Sequence, residues 1–374
     1  MQFSQLAAVK HRVVVGSPLP FNVRDVDRTL LLARGQVIGS HDQMDALFAR
    51  GALVDLAELV TPEDVIRQAP ADALPGLWRD KLNEVGNVIR NSHSEEFAGA
   101  LEAATPAVMA LIERDKDLAI FQVLRQDGNE YVQYGVNHST HAAITAFLIA
   151  QRLGWSTEDT QSLFKAALTM NISMLELQGQ LAVQDSEVTA DQRAAIRAHP
   201  EFSVRMLEMA GVENGDWLRA VAQHHERPDG TGYPYGIREV SDMAALVQRA
   251  DIYTAKLSGR KTRSAMAADS AGRAMFMQEP GHPMTVALVK EFGVYPPGCF
   301  VHLANGESCI VIKRGPTVTT PIVAALTTAA GSSLAEPVRR DTSQRQYSIV
   351  GIVNASDPLK RRVAPEKLIE LAMS

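Results

Sequence analysis

One long stretch of helical periodicity constrains the fold of this chain more than any other feature. Between residues 77 and 277 the apolar residues recur at helical spacing and not at the alternating spacing of strands. Residues 137–153 place their alanines on one broad face of a helix, and Gly154 is expected to end that helix. Residues 162–174 are apolar almost all round, which on a helix means burial on every side. The sequence therefore predicts a mainly α-helical body.

Short β-like runs flank this body on both sides. Residues 1–60 alternate such runs with turn residues and one short helix, which predicts a small α+β module. Residues 61–76 carry three prolines and have the composition of a linker. After a helical domain at 77–290, residues 291–374 hold β-branched runs and a hairpin signal at Asn305-Gly306. This last segment predicts a small β module that ends in a short helix.

Composition narrows the function classes. The chain has 37 Lys+Arg against 43 Asp+Glu and a formal net charge of −6, which disfavours a nucleic-acid binder. Its apolar runs are shorter than the roughly 18–20 residues of a membrane helix, and its start lacks the pattern of a targeting signal. We therefore expect a cytoplasmic protein with no membrane insertion. Cys299 and Cys309 lack the spacing of a disulfide framework or a metal site.

Three of the ten histidines lie close together in the helical body: His199, and the adjacent pair His224 and His225. Neutral imidazole is the commonest metal ligand. Adjacent residues on a helix point about 100° apart, so both histidines can reach one ion only where a helix ends or bends. The run 226–234 supplies such an end, since it is rich in Gly, Pro and Asp. Spacing alone leaves two interpretations open, a metal or phosphate site and a hydrogen-bonded structural cluster.

The run HHERPDGTGYP at residues 224–234 resembles the signature of the HD-GYP family. These are bacterial helical phosphohydrolases that hydrolyse cyclic di-GMP at a site of two or three metal ions. The resemblance covers about residues 131–277 and implies an HD-type helical bundle. For metal binding it implies His138, His199, His224, His225 and Asp251; for substrate binding Arg260, Arg263 and Tyr233; for the loop and a partner Glu226, Asp229, Gly230, Gly232 and Pro234.

The family also contacts GGDEF-type diguanylate cyclase domains through this loop, so the resemblance implies such a signalling partner beside cyclic di-GMP itself. Simpler interpretations exist for several of these positions. The loop residues could only build a turn. Arg260 and Arg263, spaced i and i+3, are expected on one face of a helix, where they could simply be solvated.

The chain departs from the family at the namesake pair. The run AALTMNISM, residues 166–174, stands where the family has AALLHDIGK, so Met170 and Asn171 replace the histidine and the aspartate, and Met174 replaces the lysine. Tyr134 replaces a glutamate that binds a third ion, and Thr254 occupies a position that is often acidic. On an apolar helix, Met170 and Met174 are also ordinary core residues.

Electrostatics sets the consequence of this departure. Two divalent ions about 3.7 Å apart repel by about 18 kcal/mol at an effective dielectric constant near 20, so an anion must bridge them. Asn171 offers no anion, and the Met170 thioether is a poor ligand for Fe, Mn or Zn in a nitrogen and oxygen site. We therefore predict either no metal or one divalent transition ion, Fe, Mn or Zn, on His199, His224 and His225, with His138 and Asp251 beside it.

Three functions remain open at this point. We favour a degenerate HD-GYP protein, inactive or impaired in hydrolysis, that senses cyclic di-GMP or acts as a protein-binding scaffold. The first alternative is an active mononuclear phosphodiesterase, for which Asp251 or Glu226 is the available general base. The second alternative is a purely structural adaptor. Sequence does not determine the oligomeric state.

Overall fold

A computed structural model describes residues 2–125, 133–353, 367–368 and 371–372 of the chain. The chain divides into two compact units, residues 1–68 and residues 69–374. None of the helices in the described ranges is long and apolar enough to cross a membrane.

The first unit is a small antiparallel sheet with helices. Its sheet has the strand order β1-β4-β2-β3 and covers an apolar core that includes Leu6, Phe21 and Val54. Ser40 caps its first helix by accepting a hydrogen bond from the Gln43 amide. The elements are β1 (Phe3–Gln5), β2 (Val23–Arg24), β3 (Leu30–Leu32), α1 (His41–Ala49), β4 (Leu53–Asp55), α2 (Leu56–Leu59) and α3 (Pro62–Gln68).

The proline-rich segment 61–76, predicted as a linker, is helical over most of its length. Pro62 is the first residue of α3, and Pro75 lies in the first turn of the helix that follows. Proline is tolerated in a first turn because that turn does not need its N–H. These prolines therefore start helices, and the division between the two units falls inside the segment.

The second unit begins with a helical body. Its helices are α4 (Leu74–Arg90), α5 (Phe97–Arg114), α6 (Lys116–Leu124), α7 (Tyr134–Leu153), α8 (Thr157–Thr169), α9 (Leu175–Val183), α10 (Ala190–Met209), α11 (Gly215–Gln223), α12 (Asp242–Leu257), α13 (Ala268–Gln278) and α14 (Pro283–Phe292). Helix α7 is buried along most of its length and packs against α8, α12 and α14. It ends at Gly154, whose φ of 76° is left-handed.

Helix α10 begins with a capping box and continues through a proline. Thr189 and Gln192 form the capping box at its start. Pro200 does not end the helix, which continues to Met209. The packing of the helix on its neighbours overrides the local cost of proline.

A five-stranded antiparallel sheet follows the helices, in the order β8-β7-β6-β5-β9. Its strands are β5 (Phe300–Leu303), β6 (Ser308–Lys313), β7 (Ile322–Thr327), β8 (Ser333–Asp341) and β9 (Ile349–Ile352). The predicted hairpin at Asn305-Gly306 joins β5 to β6. The predicted C-terminal helix lies almost entirely outside the described residues, which there comprise only four helical positions.

A charge network around one buried carboxylate joins this sheet to the helical body. Arg314, directly after β6, donates hydrogen bonds to the Asp117 carboxylate on α6 and to Glu291 on α14. The Glu291 side chain is only 3% exposed and also accepts a hydrogen bond from Arg152 on α7. One buried carboxylate thus holds two arginines from different parts of the unit. The fold class, mainly helical with a small sheet at each end, is confirmed.

Candidate metal centre

The interior of one helix and the end of another bring three imidazoles together. Helix α10 carries His199, and His224 and His225 follow the last residue of α11. One nitrogen of each ring lies within 4.8 Å of the others, and His199 Nε2 is 3.1 Å from His224 Nε2. His199 and His224 are buried. The helix end after Gln223 thus provides the bend that adjacent histidines need to face one point.

Backbone carbonyls fix the orientation of two of these rings. His199 Nδ1 lies 2.6 Å from the Ile196 carbonyl oxygen, and His224 Nδ1 lies 2.7 Å from that of Val221. A carbonyl only accepts hydrogen bonds, so both Nδ1 atoms carry the proton and both Nε2 atoms present a lone pair.

Each of those carbonyls is available for a definite reason. In a regular helix the Ile196 carbonyl would accept from residue 200, but Pro200 has no N–H. The Val221 carbonyl belongs to the last turn of α11, where helical partners run out. A proline in one helix and a helix end in the other therefore free the acceptors that orient His199 and His224.

The resulting arrangement suits a cation. Two lone pairs 3.1 Å apart repel each other unless a positive charge lies between them. Burial lowers the pKa of His199 to about 3, so a proton does not fill this place near neutral pH. Two nitrogens bound to one divalent ion at about 2.1 Å lie roughly 3.0–3.4 Å apart. The donor set of three neutral imidazoles therefore fits a single transition-metal ion whose coordination is completed by water.

The loop that follows His225 is organised by one buried carboxylate. Glu226 is fully buried and accepts hydrogen bonds from the backbone N–H groups of Tyr235, Gly236 and Ile237, at 2.7, 3.1 and 3.1 Å. Both carboxylate oxygens are used. Glu226 thus shapes the loop, and its carboxylate is not placed as the general base that the sequence allowed.

The other loop residues make a tight turn against the His224–Glu226 segment. Asp229 Oδ1 accepts from the Thr231 amide at 2.8 Å, and Gly230 has a left-handed φ of 79°. A Cβ on Gly232 would lie 2.5 Å from the Arg227 amide nitrogen, so only glycine fits there. Pro234 follows Tyr233 through a cis peptide bond. The loop residues identified from the sequence therefore build one rigid turn.

Tyr233 lies on the histidine cluster itself. Its ring stacks on His225 with centroids 4.5 Å apart and an interplanar angle of 22°, and it meets His199 edge-on at 6.4 Å. The Arg197 guanidinium lies 5.4 Å from the Tyr233 centroid. Burial raises the pKa of Tyr233, so its hydroxyl stays protonated.

The second group of predicted ligands is arranged differently. His138, on α7, and Asp251, on α12, meet through a hydrogen bond of 2.7 Å between Nε2 and Oδ1. Burial raises the pKa of Asp251, but the His138 hydrogen bond and the nearby imidazoles outweigh that effect and lower it. The carboxylate is therefore ionised and accepts a hydrogen bond from the Nε2–H group of His138.

The side chains around this pair offer little to a metal. Met170 is fully buried at the end of α8, and Asn171 is 2% exposed. His138 Nδ1 and Asn171 Oδ1 are buried and have no hydrogen-bond partner among the described residues. Met174 is half-buried at the end of a short 3-10 turn, Ile172–Met174. Thr254, buried one turn after Asp251, bonds to carbonyls of its own helix.

The arginines predicted to bind substrate do not share a helix face. Helix α12 ends at Leu257, and Arg260 and Arg263 pair across a tight turn through two backbone hydrogen bonds of 2.8 and 3.0 Å. Arg260 donates to the Tyr134 hydroxyl at 3.2 Å and lies over its ring, which faces His138. Arg263 is exposed and donates to the Ala255 carbonyl. Arg260 thus lies on the His138 side of the site.

Sequence reasoning missed three residues of this region: Pro200, Arg197 and Gln248. Gln248 donates to the carbonyls of His224 and Glu226, both at 2.9 Å, and so ties α12 to the start of the loop. The His199-Pro200 pair was the available signal, because proline after a helical histidine always frees the carbonyl three residues before that histidine.

Comparison with known proteins gives a consistent result. Residues 126–279 match the family model of the HD domain. The chain is 25% identical over 278 residues to cyclic di-GMP phosphodiesterase PA4108 of Pseudomonas aeruginosa, covering 73% of this chain and 64% of that protein. It is 31% identical over 140 residues to 3'3'-cGAMP-specific phosphodiesterase 3 of Vibrio cholerae, covering 37% of this chain and 30% of that protein. The chain thus spans less than two thirds of both relatives.

A solved structure shares the fold. Bd1817, described as a HDG"Y"P protein from Bdellovibrio bacteriovorus, superposes with a TM-score of 0.50 at 15% identity, over 77% of this chain and 98% of that one. This likeness concerns the fold alone.

Proposed function

We propose that the chain is a degenerate member of the HD-GYP family that binds cyclic di-GMP at a single-metal centre and hydrolyses it slowly or not at all. One observation carries the proposal. Three imidazoles converge on one point, whereas His138 and Asp251 are hydrogen-bonded to each other at 2.7 Å. The three-histidine half of the site is arranged to bind an ion. In the other half, His138 and Asp251 bind each other.

His199, His224 and His225 would hold the ion. A divalent ion there would polarise a phosphodiester oxygen and lower the pKa of its bound water. The protein's own part is to keep His199 and His224 neutral by burial and to hold their Nδ1 atoms on backbone carbonyls. These features favour ion binding before any substrate arrives.

The residues around the centre give weak support to hydrolysis. Both carboxylate oxygens of Glu226 accept hydrogen bonds from the loop backbone. Asp251 is the carboxylate that remains near the imidazoles, and it already accepts a hydrogen bond from His138 Nε2–H. Asn171 supplies no anion to bridge a second ion. An active mononuclear phosphodiesterase would have to use Asp251 as its base, so we place it second.

On the His138 side, Arg260 is the proposed contact for one ligand phosphate. It is half-buried, and it donates to a phenol and not to a carboxylate, which leaves its charge available. Charge-assisted hydrogen bonds from a guanidinium are the usual means of binding a phosphodiester. Arg263 is a weaker candidate because its guanidinium donates to the Ala255 carbonyl near the end of α12.

A protein-binding role is the second candidate, because aromatic side chains are exposed beside the loop. Tyr235, held by Glu226, is 59% exposed, and Phe202 on α10 is 52% exposed. Exposed aromatic residues of this kind are typical of protein contacts. By resemblance the partner would be a GGDEF-type domain.

Metal analysis, calorimetry and a turnover assay test the proposal on one preparation. We expect about one equivalent of Fe, Mn or Zn, a binding heat with cyclic di-GMP, and turnover near background. A parallel titration with 3'3'-cGAMP determines which cyclic dinucleotide is preferred. Absence of heat with both ligands would favour the protein-binding role, and rapid hydrolysis would refute the impaired site.

The double variant Met170→His with Asn171→Asp tests the half of the site that contains His138 and Asp251. It returns a nitrogen ligand and a bridging carboxylate next to His138 and Asp251. We expect metal content to rise above one equivalent. The matched control Met174→Leu keeps an apolar side chain close by, and its metal content should not change.

A further inference from the structure

We propose that Arg197 binds a phosphate of the dinucleotide on the Tyr233 side of the histidine centre; this inference rests on the proposed function. Arg197 lies on α10 two residues before His199. Its guanidinium carbon is 5.4 Å from the Tyr233 centroid, and the Tyr233 ring is stacked 4.5 Å from His225. The guanidinium is therefore no farther from the His225 ring than the sum of these two distances.

The guanidinium of Arg197 is available to an anion. Within the described ranges it forms no ion pair, and its side chain is exposed. Glu201, one turn further along the helix, could have paired with it, but its carboxylate binds Arg205 instead. An unpaired guanidinium at the edge of a cluster of neutral imidazoles is a site for an anion, and its planar fork matches a phosphate.

A second cation lies on the same side. Arg227 comes two residues after His225, is exposed, and forms no ion pair with any residue that the structure describes. The positive charges of Arg197 and Arg227 both act to lower the pKa of Tyr233, although burial outweighs them and raises it. Asp229, the acidic residue of the loop, uses Oδ1 to hold Thr231. Two exposed guanidinium groups are therefore available to an anion beside the loop.

The two sides together match the chemistry of the ligand class. A cyclic dinucleotide has two phosphodiester groups on opposite sides of its ring. Arg260 lies beside Tyr134 and His138, and Arg197 lies beside Tyr233 and His225. Each phosphodiester thus has its own arginine, with the histidine centre as the third contact. A ligand with one phosphate could use only one of these arginines.

Calorimetric titration with cyclic di-GMP tests the assignment on the metal-loaded chain. Arg197→Ala should weaken binding by about 10- to 100-fold, since one charge-assisted contact is lost. Arg197→Lys keeps the charge without the fork and should bind at least about threefold more tightly than Arg197→Ala. The control Arg193→Ala removes an exposed arginine one turn before Arg197 on the same helix and leaves the Glu201–Arg205 pair intact, so it should bind as the wild type does.

The outcomes separate this inference from the proposed function. If the wild type binds and Arg197→Ala binds equally well, the phosphate subsite is wrong while the proposed function stands. If Arg197→Ala also loses its metal, Arg197 supports the fold of the centre and does not contact ligand. If Lys gives no recovery, the contact is with a base and not a phosphate. If the wild type gives no heat, both proposals fail.

Discussion

The two halves of the site contain similar residue types and arrange them in opposite ways. In one half, His199 and His224 donate their Nδ1 protons to backbone carbonyls, which leaves their Nε2 lone pairs facing one point. In the other half, His138 donates a hydrogen bond from Nε2–H to the Asp251 carboxylate. The neighbouring side chains are the Met170 thioether and the neutral Asn171 amide. The difference shows that the hydrogen-bond partner of each imidazole decides whether its other nitrogen can bind a metal ion.

Removing one imidazole from the convergent half should have the largest effect. His224→Ala deletes one of three candidate ligands, so metal affinity should fall by more than the roughly 10- to 100-fold that loss of a supporting contact costs. Metal content after dialysis should drop from about one equivalent to almost none. His302→Ala, which changes an exposed residue of strand β5, is the control and should keep its metal. Unchanged metal in His224→Ala would show that the ion lies elsewhere.

Replacing Glu226, whose carboxylate binds the loop backbone, should have the next largest effect, and the effect is on stability. Glu226→Ala leaves three backbone N–H groups without their acceptor, and a hydrogen bond to a charged group contributes about 1.5–3 kcal/mol. We expect the free energy of unfolding in urea to fall by about 3 kcal/mol or more. Glu226→Gln keeps one acceptor oxygen and should lose less. Equal stability of all three proteins would contradict the role of the carboxylate.

Pro200 should affect metal affinity and stability in opposite directions. Pro200→Ala supplies an N–H that competes with His199 for the Ile196 carbonyl, so metal affinity should fall about tenfold. The thermal midpoint of the metal-free protein should not fall, because proline is unfavourable inside a helix. Pro106→Ala, inside α5 and away from any described histidine cluster, should not change metal affinity. A parallel loss of stability and metal would point to general damage.

The smallest effect concerns acid stability on the His138 side. Burial lowers the pKa of His141 to about 4, against 6.5 for an exposed histidine. The unfolded chain therefore takes up the proton first, so this contribution to stability is intact above pH 6.5 and is lost progressively as the pH falls towards 4. Between pH 6.5 and 5.5 the loss is about 1 kcal/mol for this residue.

Urea denaturation of metal-free protein at these two pH values measures that loss. In His141→Gln the difference between the two pH values should shrink by about 1 kcal/mol relative to the wild type. The variant is less stable at both values, but only the difference matters. An unchanged difference would mean that His141 is solvated in the folded protein.

The sequence predicts the helical body, the terminal sheets and the gathering of three histidines, because all three depend on local periodicity or on a dense motif. It does not predict the turn that separates Arg260 from Arg263, since Ser258 and Gly259 end α12 earlier than the i, i+3 spacing assumes. Nor does it predict that Glu226 serves the loop backbone. That role depends on which amides the folded loop turns inward, and no residue pattern encodes it.

The buried network of Arg314, Glu291 and Arg152 bears on how the second unit can be dissected. Cutting the chain after α14 would remove Arg314 and leave the 3% exposed Glu291 carboxylate with one cation instead of two. A buried charge that loses a partner costs several kcal/mol. The helical body and the C-terminal sheet are therefore expected to unfold in a single cooperative step, and a truncated helical domain is a poor substitute for the whole chain in binding measurements.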